Sequence, residues 1–220
     1  MEWGALLHSA RAVTVVSDPR SSRNQAMTDA SRAAVELFIN SGRTDFTVTE
    51  LARHVGISER SFYRYFPRKE DVVHPFLTGG FERISALVAA RPADEPVRTA
   101  LVAAWSESWV AADTDRSRRL FRLLFDDDGL RATWFKVITE SEAGWARVIA
   151  LRIGIDPNSQ RAALIGAVVV VAARLSTKSF VDSGTDVDPA RIFAANLELL
   201  GDELFAGPSP TTIKKAGTRA

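Results

Sequence analysis

Apolar residues recur every three or four positions between Thr28 and Phe205, which is the spacing that lines one face of an α-helix. The alternation of apolar and polar residues that marks a half-buried β-strand is missing from this region. Short runs of glycine, proline and aspartate interrupt the helical spacing. The sequence therefore predicts an all-α protein of about nine helices joined by short loops.

The composition excludes several classes of protein. The chain has no cysteine, so it can form neither a disulfide nor a thiolate metal site, and a reducing compartment suits it. Its longest apolar run, Ala162 to Ala173, is shorter than the roughly 20 residues that a membrane span needs. We therefore expect a cytoplasmic protein with no membrane partner.

The sequence contains no motif for catalysis or cofactor binding. A nucleophile elbow, a phosphate-binding loop, a dinucleotide fingerprint and a zinc-protease pattern are all missing. His8, His54 and His74 are not at metal-ligand spacing, and the acidic run Asp126 to Asp128 is interpreted as a helix cap. We therefore expect no enzyme activity, no cofactor and no metal site.

The helical pattern divides the chain into four parts. Residues 1–27 are expected to be a disordered extension, because the polar run from Asp18 to Gln25 interrupts a helix, and Met27 is a plausible natural start. The alternative is a flexible arm whose arginines contact phosphates, namely Arg11, Arg20 and Arg23. Three short helices are expected in residues 28–73, a larger helical domain in residues 74–206 and a disordered tail in residues 207–220.

Two helices of the larger domain have expected features of their own. A helix that runs from Arg68 to Ala90 is expected to kink at Pro75. The final helix is expected to span residues 188–205.

Two short helices joined by a tight turn form a helix-turn-helix candidate. Thr47 and Glu50 have the spacing of a capping box at the start of the first helix. Gly56 permits the turn, and Ser58 caps the second helix. Such a second helix can lie in the major groove of DNA.

The second helix has an apolar face and a face of hydrogen-bond donors. Phe62 and Phe66 share the inward face, whereas Arg60, Ser61 and Arg64 lie opposite, with Tyr63 on the flank. Arginine side chains on an outward face suit guanine edges and phosphates. Spacing alone leaves two interpretations open, a DNA-binding unit or three packed helices with a solvated charged face.

The residues themselves distinguish these interpretations. The segment from Phe46 to Asp71 contains Thr-x-x-x-Leu-Ala, Gly-Ile-Ser and Phe-Tyr-x-Tyr-Phe-x-x-Lys elements, and Ala33-Ala-Val-Glu-Leu-Phe38 and Gly42 precede it. This combination, which covers residues 28–73, resembles the DNA-binding domain of the TetR family of transcriptional regulators. The resemblance implies an operator of pseudo-palindromic double-stranded DNA.

The resemblance also implies roles for individual residues. Thr47 would hold a phosphate, and Thr49 lies where a side chain of the family can read a base. Phosphate or sugar contacts would come from four residues at matching positions: Ser61, Tyr63, Tyr65 and Lys69. Glu59, Arg60 and Arg64 lie at positions that vary in the family, so they are the candidates for sequence readout.

The larger domain is rich in aromatic residues. Four of the five tryptophans lie between positions 105 and 145, and large apolar residues accompany them. We expect the cluster to line a ligand pocket, with ordinary core packing as the alternative. The candidate residues are Trp105, Trp109, Phe121, Leu124, Phe125, Trp134, Phe135, Ile138 and Trp145.

The chemistry of the ligand is open between two alternatives. A basic cluster beside the aromatic residues would suit an acyl chain with an anionic head: Arg116, Arg118, Arg119 and Arg122. Residues 115–155 resemble the branch of the family with an acyl-CoA-like, mycofactocin-type ligand domain. Acidic residues would instead suit a cationic ligand: Glu107, Asp113, Glu140 and Glu142.

The last two helices are rich in small and β-branched residues. Paired with a symmetry-related copy they would form a four-helix bundle, because a two-fold operator calls for a homodimer. A buried core helix is the alternative. The candidate interface residues are Ala163, Gly166, Ala167, Val170, Arg174, Ile192, Ala195, Asn196 and Leu199.

Together these features predict a DNA-binding transcriptional regulator. We expect a repressor that leaves its operator when a hydrophobic small molecule or an acyl-CoA-like ligand fills the pocket. The alternatives are a regulator whose C-terminal domain docks a protein partner and a transcriptional activator.

Overall fold

The computed structural model of the chain describes residues 19–111, 113–183 and 187–207. Within these ranges the regular structure is helical and contains no β-strand, which confirms the predicted all-α fold. The helices are α1 (Pro19–Ser41), α2 (Val48–His54), α3 (Glu59–Tyr65), α4 (His74–Ala90), α5 (Val97–Ala111), α6 (Thr114–Asp126), α7 (Asp128–Ile153), α8 (Gln160–Asp182) and α9 (Pro189–Glu198). Two 3₁₀ turns, Lys69–Val73 and Glu203–Phe205, complete the described structure.

Helix α1 begins earlier than its sequence pattern indicates. The prediction of disorder is wrong for residues 19–27, which are helical, whereas residues 1–18 lie outside the described residues. Pro19 is tolerated in a first turn because its missing N–H would be unpaired there. Each further residue then adds one backbone hydrogen bond to a helix that buried Ala30 and Ala34 already anchor. Residues 208–220 of the expected tail also lie outside the described residues.

Local capping determines the helix-turn-helix, as the sequence predicts. The Thr47 hydroxyl accepts the Glu50 backbone N–H at 3.2 Å, and the Glu50 carboxylate accepts the Thr47 N–H at 2.8 Å. This pairing holds the pKa of Glu50 below its usual value. Gly56 has a φ of +74°, and the Ser58 hydroxyl accepts the Ser61 N–H at 3.1 Å. The capping box and the second cap are therefore confirmed.

Two predicted helix details are wrong. Pro75 does not kink a helix, because a 3₁₀ turn precedes it and α4 begins at His74, so that Pro75 lies in the first turn. The last helix ends at Glu198, before residue 205, because Gly201 adopts a left-handed φ of +72° that breaks the helical path.

The 3₁₀ turn before α4 is held by one carboxylate. Asp71 accepts the Arg68 backbone N–H at 3.1 Å and a guanidinium N–H of the same residue at 3.0 Å. Burial acts to raise the pKa of Asp71, but the hydrogen bonds and the charge of Arg68 outweigh it and lower that pKa below its usual value. Arg68 also donates to the hydroxyl of Thr133 on α7 at 3.5 Å, so this turn joins the N-terminal helices to the larger domain.

The hydrophobic core has two main clusters that share a wall. The first cluster joins α1, α2, α3 and the start of α4 to residues from later in the chain, namely Leu120 and Leu124 of α6 and Leu130, Trp134 and Val137 of α7. The second cluster lies among α4, α5, α7, α8 and α9. Phe121 and Ile138 pack against both clusters. The N-terminal helices therefore do not have a core of their own, separate from α6 and α7.

Helix α8 is the one helix of the described residues that is both long and apolar enough to cross a membrane. It has the length and composition of a membrane span, with a mean hydropathy of 1.7 over its most apolar window. Half of that window is buried inside the protein, and α8 packs along α7. Its contact with α7 is close at Gly166, where a Cβ atom would lie 2.5 Å from the Glu142 carbonyl oxygen. We assign α8 to the core for this reason.

The close approach at Gly166 predicts a stability effect. Gly166→Ala should lower the free energy of unfolding by about 1–3 kcal/mol, because a methyl group would press on the α7 backbone. Gly79→Ala is the matched control, since no atom lies within 4 Å of its added Cβ, and it should stabilise helix α4 by about 0.5–1 kcal/mol. Urea unfolding curves of both variants test this. Equal stability of the two variants would contradict the packing described.

The Asp71 carboxylate predicts a pH-dependent effect. Asp71→Asn should cost about 1–3 kcal/mol at neutral pH, because hydrogen bonds to a charged group are lost. A carboxyl with a lowered folded-state pKa stabilises the fold above its usual pKa and loses this effect as the pH falls through the folded-state value. The difference between wild type and variant should therefore shrink below about pH 4.

The test is urea unfolding at a series of pH values. Asp94→Asn is the control, because the exposed Asp94 makes no ion pair with the described residues and should show little effect. A difference between wild type and Asp71→Asn that is constant from neutral to acid pH would contradict the assignment.

Candidate nucleic-acid interface and internal cavity

Helix α3 presents a polar outward face over an aromatic inward one. Phe62 and Phe66 are buried, whereas Tyr63 is 53% exposed and Glu59, Arg60 and Arg64 are exposed. The predicted orientation of the second helix is therefore confirmed. What these outward side chains contact stays a prediction.

Hydrogen bonds orient part of this outward face. Thr49 on α2 donates its hydroxyl to the Glu59 carboxylate at 2.7 Å, which ties the two helices together. Arg64 donates to the Ser61 hydroxyl at 3.3 Å. Arg60 forms no hydrogen bond or ion pair within the described part of the chain. Its guanidinium can therefore contact DNA without breaking a contact, whereas Arg64 would have to give up its hydrogen bond to Ser61.

The flanking candidates lie around the same face. Lys69 donates to the Phe46 carbonyl at 3.4 Å, and the exposed Thr47 uses its hydroxyl in the α2 cap. Tyr65 is half-buried, with the Arg64 guanidinium 5.2 Å from its ring centre. Arg23 of α1 donates to the Arg64 carbonyl at 3.1 Å, so the extended start of α1 reaches the end of α3.

A cavity of about 210 Å³ lies among α1, α4, α5, α6, α7 and α8. Its wall is mainly aromatic and aliphatic. Six of the nine candidate pocket residues line it: Trp105, Trp109, Phe121, Trp134, Ile138 and Trp145. The indole N–H of Trp105 has no hydrogen-bond acceptor, although Trp105 is only 6% exposed.

Three candidate pocket residues lie elsewhere. Leu124 is fully buried in the core beneath α1, and Phe125 packs on Trp134 with ring centres 4.9 Å apart. Phe135 is 42% exposed, because its position next to Trp134 turns it about 100° away around the helix. The prediction is therefore wrong for these three residues.

The sequence interpretation missed the contribution of α4. Phe76, Leu77, Phe81 and Ile84 line the cavity from this helix, and Ile39 lines it from α1. The signal was present, since these α4 positions recur at helical spacing after Pro75. The cavity therefore touches both the helix that follows the N-terminal unit and that unit itself.

The charge of the cavity is positive. Three arginines line it, Arg83, Arg116 and Arg174, together with hydroxyl groups of serine and threonine, and the described lining contains no aspartate or glutamate. The acidic alternative is therefore wrong for this cavity, because none of Glu107, Asp113, Glu140 and Glu142 belongs to the lining.

The predicted basic cluster on α6 is also divided by the structure. Arg116 lines the cavity, and Arg119 is exposed. Arg118 is buried and donates to the carbonyls of Phe180 and Ser183, and Arg122 donates to the carbonyl of Val181 at 3.3 Å. These two arginines cap the C-terminal end of α8, which the helix dipole favours.

Polar contacts among the described residues cross from the N-terminal helices to the larger domain. Arg116 pairs with Glu36 of α1, and the Thr44 hydroxyl donates to Asp127 at 2.9 Å. Arg68 reaches Thr133, and the backbone N–H of Phe76 in α4 donates to the Ser31 hydroxyl of α1 at 3.0 Å. Of the arginines in these contacts, only Arg116 also lines the cavity.

The candidate dimer residues fall on different sides of α8 and α9. Ala163, Ala195 and Leu199 are exposed, and four are half-buried, namely Ala167, Arg174, Ile192 and Asn196. Gly166 and Val170 are buried inside the protomer, against α7 and the cavity, so the interface prediction is wrong for both. The outward face of α8 includes three apolar residues that the sequence interpretation missed: Leu164, Val171 and Leu175.

Two family models match the chain. The model of bacterial regulatory proteins of the tetR family matches residues 31–74, and the model of the MftR C-terminal domain matches residues 91–204. The first match covers the helix-turn-helix, and the second covers α5 to α9. Together they span both the outward face of α3 and most helices around the cavity.

Individual proteins resemble the chain over about half of its length or more. The HTH-type transcriptional regulator TcmR of Streptomyces glaucescens is 29% identical over 186 residues, which cover 80% of this chain and 82% of that protein. The putative mycofactocin biosynthesis transcriptional regulator MftR of Mycobacterium tuberculosis is 30% identical over 129 residues, 54% of this chain and 60% of that protein. The solved structure of Thermus thermophilus FadR, a TetR family repressor in complex with lauroyl-CoA, is similar in fold, with a TM-score of 0.55 and 24% identity over 85% of this chain and 97% of that one.

Proposed function

This chain belongs to the TetR family of bacterial transcriptional regulators, and we propose that it is a repressor that a ligand in the α4–α8 cavity releases from its operator. Members of this family regulate transcription and are not enzymes. The main support for the proposal is that the same residues of α6 and α7 complete the core of the helix-turn-helix unit and also line the cavity. A ligand there can favour one arrangement of the DNA-binding unit over another.

DNA contact is assigned to the outward face of α3 and its flanks. Arg60 and Arg64 are the proposed readers of guanine, because a bidentate arginine–guanine contact suits the major groove. Glu59 and Thr49 bond to each other, so they position the two helices beside the bases. Phosphate contacts are assigned to Thr47, Ser61, Tyr63, Tyr65 and Lys69, which flank the reading residues.

A homodimer would place two α3 helices on the two halves of a pseudo-palindrome. The proposed interface is the outward face of α8 and α9, where Leu164, Val171, Leu175 and Leu199 expose apolar side chains. Leu199 directly follows the last turn of α9, is 85% exposed and adds to the apolar surface that a second copy could cover. A bacterial regulator that binds chromosomal DNA acts in the cytoplasm, so we also propose a cytoplasmic location.

The proposed ligand is a hydrophobic molecule or an acyl-CoA-like one. The MftR-type match and the lauroyl-CoA bound to the FadR structure support this class. The cavity is smaller than the roughly 300–1,000 Å³ of pockets that enclose drug-sized ligands. It therefore suits an acyl chain or ring system, with the polar head at the arginines of its wall.

The presence of the cavity bears on the alternative of a protein partner. A fully packed aromatic core would favour docking of another protein, whereas four tryptophans here surround open space. We therefore rank ligand control above partner docking.

The operator should be recognised through Arg60. Arg60→Ala should weaken binding to the operator by about 1–3 kcal/mol and relax the preference for one base pair. Arg147→Ala on α7 is the matched control, because it removes the same charge from an exposed position away from α3. Fluorescence anisotropy on DNA from the upstream region of the gene, against scrambled DNA at about 150 mM salt, measures both effects.

Two results of this experiment would contradict the DNA assignment. One is equal affinity of the wild type for upstream and scrambled DNA. The other is an equal loss of affinity in Arg60→Ala and Arg147→Ala, which would indicate a general charge effect.

Ligand release is tested with lauroyl-CoA. Lauroyl-CoA should raise the apparent Kd for the operator about 5- to 150-fold, the usual range of coupling between two sites. Coenzyme A without an acyl chain is the control and should leave the Kd unchanged, because it offers no apolar group to the cavity. Equal effects of the two compounds would contradict the assignment of the cavity.

A further inference from the structure

Arg116 belongs to two sites at once. It lies in the first turns of α6, where its side chain lines the cavity, and it forms an ion pair with Glu36 of α1. The arginine side chain is 30% exposed and the glutamate side chain is 45% exposed. A molecule that enters the cavity therefore meets a guanidinium that already holds the carboxylate of the DNA-binding unit.

The other two cavity arginines do not share this position. Arg174 lies over the Phe135 ring at 5.9 Å from its centre, and neither Arg174 nor Arg83 pairs with a carboxylate of the described residues. The three cations thus differ in what an incoming anion has to displace. At Arg83 and Arg174 it displaces no carboxylate of the described residues, but at Arg116 it competes with Glu36.

Helix α1 is well placed to respond to that competition. Its residues Val35, Phe38 and Ile39 on both sides of Glu36 are buried in the core that supports α2 and α3. Ile39 also lines the cavity, and Arg23 at the other end of α1 donates to the Arg64 carbonyl at the end of α3. A change at Glu36 therefore acts on the helix that supports the reading helix.

We propose that the ligand of this cavity carries an anionic head group, and that this group binds Arg116 in place of Glu36. Loss of the Arg116–Glu36 ion pair then transmits the binding of a charged ligand to helix α1. This inference rests on the proposed function, and it specifies both the chemical class of the ligand and the contact that transmits it. The arrangement in which Arg116 holds Glu36 is the one that binds the operator. The anion favours the other arrangement, because the anion and Glu36 compete for the same Nη2 group of Arg116.

The reciprocity of coupled binding makes this testable. If the anion and Glu36 compete for Arg116, removal of the Glu36 charge must strengthen anion binding and also reduce the effect of the anion on operator affinity. Removal of the Glu36 charge must alter neither the affinity of a neutral ligand of the same shape nor the effect of that ligand on operator affinity. A structural ion pair with no such role would change stability without this distinction between ligands.

The probes are two matched pairs that differ in one charged group. Laurate and dodecanol have the same chain, and anilinonaphthalenesulfonate and phenylnaphthylamine have the same rings. Binding to the full chain is measured by the fluorescence of the four cavity tryptophans for the first pair, and by probe fluorescence for the second. Operator affinity is measured separately by anisotropy, with and without each probe.

The variants are Glu36→Gln, Arg116→Gln and, as the matched control, Arg174→Gln. Arg116→Gln should weaken binding of the anionic probes about tenfold and leave the neutral probes unchanged, because one charge-assisted contact is lost. Glu36→Gln should tighten anion binding several-fold and diminish the release of the operator by anions. Arg174→Gln should weaken anion binding but retain the release at saturating probe, because Arg174 has no carboxylate partner on α1.

Several outcomes would overturn the proposal. They are equal affinity of the wild type for charged and neutral probes, no binding of either anion, or Glu36→Gln behaving like the wild type in both measurements. If one of these results is obtained but lauroyl-CoA still releases the operator, the competition at Arg116 is wrong and the assignment as a ligand-controlled repressor stands. Conversely, a wild type without operator preference removes the repressor assignment, while anion binding to the free protein still tests the competition.

Thermal unfolding of each variant, followed by circular dichroism, excludes misfolding as the cause. If Arg116→Gln does not fold, Arg116→Lys replaces it, because lysine keeps the charge but cannot form the bidentate contact. Arg116→Lys should then reduce the difference in affinity between laurate and dodecanol, and an unchanged difference would overturn the proposal.

Discussion

The structure depends on an apolar wall that belongs to two compartments at once. Leu120, Trp134 and Val137 complete the core of the DNA-binding helices from one side and line the cavity from the other. The N-terminal unit is small and has little apolar surface to bury alone, so it takes part of its core from α6 and α7. Packed protein interiors transmit strain, so the two sides of this wall are mechanically linked.

Two arginines, one buried and one half-buried, hold helix ends around this wall through backbone carbonyls. Arg152 of α7 donates to four carbonyls at the end of α4 and in the following loop, at 2.6–3.2 Å. Arg118 does the same at the end of α8. Cations at helix C-terminal ends are favoured by the helix dipole. These helix ends are fixed by backbone carbonyls, whereas the contact between α1 and α6 depends on the Arg116–Glu36 ion pair, and Arg116 lines the cavity.

Sequence alone predicted the parts of this protein whose structure is local. The caps at Thr47 and Ser58 and the turn at Gly56 depend on neighbouring residues, so the helix-turn-helix was predicted correctly. Long-range packing was harder to predict. Helix α8 is apolar on all sides between Ala162 and Ala173, so spacing could not tell that Gly166 faces α7 while Leu164 faces outward. The start of α1 was missed because polar residues continue a helix that is anchored further along.

The location of charge in this fold follows from the cost of burying it. An arginine in an apolar cavity needs a partner, and without a ligand the available partners are carbonyls, aromatic rings or a carboxylate from a neighbouring unit. Arg118 uses carbonyls and the Phe180 ring, whereas Arg116 uses Glu36. The contacts of Arg118 fix the end of α8, because the backbone carbonyls that accept its hydrogen bonds are part of the helix end itself. The contact of Arg116 with Glu36 can be exchanged for the charge of a ligand, and a cavity whose cation is shared with the DNA-binding unit is therefore suited to detect an anion.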